Sequence, residues 1–137
     1  MATLLKTDRH SIAPTLADIE AIAEEALQSL PDPLKRFAHG VALHVDDFPD
    51  EETLEEMGCE TPFDLMGLYR GVALHLKSFS HTPEDVDHIF LYRRPLLDYW
   101  CETGEDLTRL VRHVMIHEIG HHFGFSDDDM DQIEASL

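Results

Sequence analysis

The chain has 137 residues, a length that suits one domain, and its 43% apolar content is enough to build one core. Its net charge of −18 at pH 7 argues against a nucleic-acid partner, whose phosphate backbone it would repel, and against an anionic membrane surface. Such a surface attracts cations, although solvation and solubility alone account for acidic residues at this density.

Met1 to Arg9 is short and mixed, without the charged and then apolar order of a secretion signal, and no apolar run approaches the length of a membrane span. A cytoplasmic location is the expectation. Residues 1–13 read as a loose leader and residues 14–137 as a single domain. Thr15-Leu16-Ala17-Asp18 opens an amphipathic helix with Leu16, Ile19, Ile22, Ala23, Ala26, Leu27 and Leu30 on its apolar side, stopped by Pro31-Asp32-Pro33. Val41 to Val45 alternates as a short strand does. Pro49 to Gly58 reads as a short acidic helix, and strands follow at Gly67 to Leu76 and Val86 to Tyr92. Cys59 and Cys101 are far apart, with no C-x-x-C, and read as reduced, packed thiols. Leu96 to Cys101 forms a helical turn and Gly104 interrupts it. A long helix then carries apolar residues at Leu107, Leu110, Val111, Val114, Ile119 and Phe123. The order of elements predicts an α+β domain in which a small sheet packs on this last long helix, with further helices flanking it.

That helix carries His117-Glu118-Ile119-Gly120-His121, continued by His122-Phe123-Gly124-Phe125-Ser126-Asp127. Residues four apart share a helix face, so the imidazoles of His117 and His121 converge on one metal ion. Glu118, turned about 100° from His117, reaches a water at the metal without itself ligating. In a chain this rich in His and acid, His-Glu-x-x-His arises by accident in about one case in 15; requiring Gly124 and Asp127 as well lowers this to roughly one in 2,700. Gly124 stands where a helix end takes a left-handed residue, which lets the chain turn back beneath its own last turn and bring Asp127 to the metal as third ligand. Ser126 and the acids after it are also an N-cap signature for a final helix from Asp128 to Ser136, and the two roles are compatible. Sixteen residues follow His121, too few for a well-separated second helix bearing a glutamate ligand; Asp128 and Glu134 are the fallback third ligands. His113 lies about 12 Å of helix axis from His121, so the three histidines of this stripe cannot share one ion. His122 points about 140° away from His117. His10, His39, His44, His75, His81 and His88 show no ligand spacing.

From Arg109 to Met130 the sequence resembles the minimal zincin-like metallopeptidases, small bacterial cytoplasmic proteins. The likeness extends upstream through Leu54-Glu55-Glu56-Met57-Gly58, Pro62 to Tyr69, Leu91-Tyr92-Arg93-Arg94-Pro95 and Trp100 to Glu105, and covers roughly residues 35 to 134. The resemblance implies a zincin-like fold reduced to a short sheet plus the site helix. It implies His117, His121 and Asp127 as ligands of one Zn2+ and Glu118 as the catalytic base. Asp127 stands where larger relatives carry a third histidine, and Met130 follows too closely to be equated with their methionine turn.

Three protein ligands leave a fourth position open to water, which marks a catalytic rather than a structural zinc. An Asp ligand keeps the site harder and more anionic than a third His and widens metal choice towards Mn2+ or Fe2+. The expected partner is a peptide or protein substrate, lying as an added strand along Val86 to Tyr92, which a short loop and turn join to the motif helix. Tyr69, Tyr92 and His113 are possible transition-state hydrogen-bond donors, though such residues are more often packed aromatics or satisfied histidines. Arg93 and Arg94 are expected to pair with the abundant acids. A competing reading is a catalytically quiet metal-binding or protein-interaction module with a structural zinc; Glu118 favours the enzyme, since a structural zinc needs no base beside it. Oligomeric state is left open by the sequence.

Overall fold

The computed structural model describes residues 12–71 and 86–137. The expected leader, residues 1–13, and the distal part of the strand expected over Gly67 to Leu76 lie largely outside the described residues. Helix α1 (Leu16–Gln28) begins at Thr15, whose side chain accepts from the Asp18 amide while Asp18 caps the Thr15 amide in return. A single helical turn, α2 (Leu34–Phe37), follows the proline pair and buries Leu34. Strand β1 (Ala42–Asp46) leads to α3 (Glu51–Glu56), capped by Asp50, and a 3-10 turn over Pro62–Asp64 precedes β2 (Gly67–Arg70). Then come β3 (His88–Tyr92), α4 (Arg93–Thr103), α5 (Leu107–His122) and α6 (Asp127–Ala135).

The fold is α+β, as the order of elements predicts. Among the described residues the sheet has three strands in the order β1-β3-β2, with β1 parallel and β2 antiparallel to β3. Ile89 and Leu91 of β3 point into the core and are fully buried, while His88 and Phe90 between them face the other way and stay half-buried. On that second face the His44 ring stacks on Phe90 and its Nε2 lies 2.8 Å from His88 Nδ1.

The core forms where α5 lies between α1 and the sheet. Ile19, Ala23 and Ala26 of α1 meet Val111, Met115, Ile116 and Ile119 of α5, while Val114 faces β2 beside Gly67. Most of α5 is therefore held by apolar contact, and its motif residues emerge along one edge at fixed heights. Asp106 starts the helix by accepting from the Arg109 amide.

Two expectations are corrected by this architecture. The strand Val86 to Tyr92, expected to receive substrate, is the central strand, hydrogen-bonded on both sides, and cannot accept another. The strand packed on α5 with one described neighbour is β2. Instead of a turn over Leu96 to Cys101 there is a three-turn helix that starts directly after β3. Pro95 is tolerated because first-turn amides have no intrahelical acceptor.

Candidate metal centre

Helix α5 ends as the glycine predicts. Gly124 has φ +83°, the Gly124 amide donates to the His121 carbonyl and the Phe125 amide to the Gly120 carbonyl, the paired bonds of a left-handed helix stop. Two residues on, Ser126 caps α6 by accepting from the Asp129 amide while the Asp129 carboxylate accepts from the Ser126 amide. The reversal lays α6 back along α5, and Met130 fixes the fit. Met130 is fully buried, and a β-carbon added to Gly120 would stand 2.2 Å from its sulfur. The missing side chain at Gly120 is thus what admits Met130 beneath the histidines.

The structure brings together the residues the sequence singles out. One ligand atom each from His117, His121 and Asp127 lie within 4.8 Å of one another, and His121 Nε2 is 3.2 Å from Asp127 Oδ1. Asp127 is both the first residue of α6 and a neighbour of His121, a position compatible with both expected roles. Glu118 is partly buried, and that burial raises its carboxyl above the ordinary range, with the nearby His121 pulling it partly back. A carboxylate tuned upward is better placed to take and return a proton near neutral pH.

The same reversal delivers a further carboxylate, Glu134, one of the two fallback ligands, from a helix packed directly against α5. Glu134 Oε1 lies 2.9 Å from His117 Nε2, and its carboxylate also lies 2.9 Å from His113 Nδ1. His113, His117 and Glu134 form a second group with one ligand atom each within 4.8 Å. His117 Nε2 and Glu134 Oε1 are both shielded from solvent and face each other across that 2.9 Å. A solvent-shielded imidazole nitrogen and carboxylate oxygen held this close are groups that a cation can also satisfy. The donor set of imidazoles and carboxylates suits zinc. A sequence signal for Glu134 existed: Asp127, Met130 and Glu134 stand at i, i+3 and i+7 of the final helix, on one stripe. Asp128, the other fallback, belongs to neither group.

The remaining singled-out residues have structural partners. Tyr69 is buried, and its hydroxyl donates to Asp87 Oδ2 at 2.7 Å; burial followed by that bond pushes the phenol far above its usual range. Tyr92 is also buried, which raises its phenol to about 12. His122 turns away from the ligand groups and packs on the Tyr69 ring, with centroids 4.3 Å apart. Arg93 reaches Asp47 at 3.0 Å and donates to the Pro14 carbonyl, whereas Arg94 sits over the Phe48 ring.

A fold with a short mixed sheet beside a helix bearing His-Glu-x-x-His, turned back to present an aspartate, defines a zincin-type protein. The model of the zincin-like metallopeptidase family matches residues 38–137, and the chain belongs to that family. No curated protein matches it. No helix among the described residues is long and apolar enough to cross a membrane.

Proposed function

We propose that the chain is a zinc-dependent peptidase built as one domain from residue 14 onward, acting on peptides or on a protein target. The observation that carries this reading is the juxtaposition on α5 and α6 of three ligand atoms from His117, His121 and Asp127, beside a carboxyl raised by burial on Glu118. The family's implied metal fits the donor set, and zinc, when bound, supplies Lewis acidity to a carbonyl and lowers the pKa of water to about 7.

The chain's own residues supply the rest. His117 and His121 hold the metal from one helix face, and Asp127 closes the third side from the start of α6. Glu118 takes the proton of the attacking water and returns it to the leaving amine. Substrate lies against β2, next to α5, as an added strand whose backbone groups are paired by β2.

One observation bears on the quieter alternative, a structural zinc in a binding module: Glu134 lies 2.9 Å from His117, so the chain offers that histidine a protein partner outside the Asp127 group. Glu118→Gln separates the two readings. The peptidase predicts about one zinc per chain in both native and variant protein, with hydrolysis of a peptide library lost only in the variant. Zinc without hydrolysis in the native chain supports the module, and loss of zinc in the variant refutes the base assignment.

A further inference from the structure

We propose that His113, His117 and Glu134 form a second metal station, one helical turn from the His117-His121-Asp127 station and alternative to it. The inference rests on the reading of His117 as a metal ligand and goes beyond it by giving α5 and α6 two places for the same ion.

Three observations carry it. First, the group meets the geometric requirement for a shared cation, with all three ligand atoms within 4.8 Å. Second, the solvent-shielded pair of His117 Nε2 and Glu134 Oε1, 2.9 Å apart, belongs to this group rather than to the Asp127 group. Third, the second station is the more enclosed. The side chains of His113, His117 and Glu134 are 48%, 21% and 27% exposed, against 56% for His121 and 81% for Asp127. Partial exclusion of water strengthens the attraction between a cation and a carboxylate.

Helix geometry separates the stations. His113, His117 and His121 succeed one another at four-residue steps, so the point between the first two lies about 6 Å along the axis from the point between the last two. One imidazole serves both places, and a metal held at one withdraws His117 from the other. Glu118 neighbours His121, so a metal at the second station stands away from the base. The pair therefore works as a working position and a resting position for one ion.

Zinc binding by three variants tests this, read by metal analysis after gel filtration and by ring 15N signals of the histidines during zinc titration. Circular dichroism confirms that each variant is folded. His121→Ala/Asp127→Ala leaves the second station intact and is expected to hold about one zinc per chain, with zinc shifting the His113 ring. His113→Ala/Glu134→Gln leaves the first and is expected to hold one with the His121 ring shifted. His117→Ala is expected to hold none. A folded His121→Ala/Asp127→Ala protein that stays metal-free, or that binds zinc without moving His113, overturns the second station. Two zinc ions in the native chain overturn the alternation. A native chain that binds no zinc fails at the underlying metal reading, a result distinct from these.

Discussion

Replacing Gly120 by alanine sets two effects of known size against each other. In a helix interior alanine is favoured over glycine by about 1 kcal/mol, so an isolated α5 would gain. Here the new methyl would stand 2.2 Å from the Met130 sulfur and 2.9 Å from its Cγ. Carbon contacts are comfortable only near about 3.5–4.0 Å, so Met130 must retreat by more than an ångström, and a fully buried side chain has nowhere free to go. Overpacking of this kind costs about 1–3 kcal/mol, and with the clash at the upper part of that range the net loss is about 1–2 kcal/mol. For a domain of this size the midpoint of thermal unfolding should fall by roughly 3–8 °C. The decisive assay is a double-mutant cycle with Met130→Ala, followed by urea unfolding of metal-free protein. In the truncated background the clash is gone and only helix propensity remains, so Gly120→Ala should stabilise by up to about 1 kcal/mol, a coupling of about 2–3 kcal/mol. If Gly120→Ala is neutral in the native chain, or equally harmful in both backgrounds, Met130 is not what the glycine accommodates.

Two further outcomes follow from buried polar groups near the sheet and the site. Tyr69→Phe removes the donor to Asp87 and should cost about 1–3 kcal/mol in urea unfolding, with the far-ultraviolet spectrum unchanged; a cost under about 0.3 kcal/mol would show that bond to be dispensable. In chelator-treated protein, Glu118→Gln should raise the unfolding midpoint at pH 7. Burial raises the Glu118 carboxyl above its ordinary value of 4.5, so folding favours its protonated form, and the ionised form costs stability at neutral pH. That cost fades as pH falls through the raised folded value and is gone below 4.5, so the advantage of Gln should vanish near pH 4. An advantage that persists unchanged at pH 4 would mean charge burial is not its cause.

What could be read from the sequence was decided within one or two helical turns. The convergence of His117 and His121, the stop at Gly124 and the cap at Ser126 depend on neighbours at most six residues away, and all three stand where the spacing places them. Strand order is different in kind. Whether β3 lies at an edge or in the middle is fixed by pairing with β1, forty-six positions earlier in register, and local alternation carries no information about that. The apolar run Ile89-Phe90-Leu91 was a hint, because strands flanked on both sides tend to read as continuous rather than alternating. Glu134 was missed as a partner of His113 and His117 because its position depends on the angle between α5 and α6. That angle is set by a residue without a side chain, Gly120, meeting one with a flexible side chain, Met130. The four-residue helix α2 was hidden by the prolines on its N-terminal side, which punctuate the chain whether or not a helical turn follows.

The final helix contributes a ligand group at its first residue, a core plug at Met130 and another carboxylate at Glu134, all on one stripe. Its docking is therefore the same event as assembly of the metal site. Met130 and the partly buried Ile133 are a small apolar hold for a helix of nine residues, and three consecutive aspartates at its start repel one another. A divalent ion spanning α5 and α6 would neutralise part of that charge and add binding energy to the closed arrangement only, about 2.7 kcal/mol when free metal is a hundredfold above its dissociation constant. On the proposed reading, metal supply and the order of the last segment would be coupled, because the groups that would hold the ion sit on both sides of the turn at Gly124.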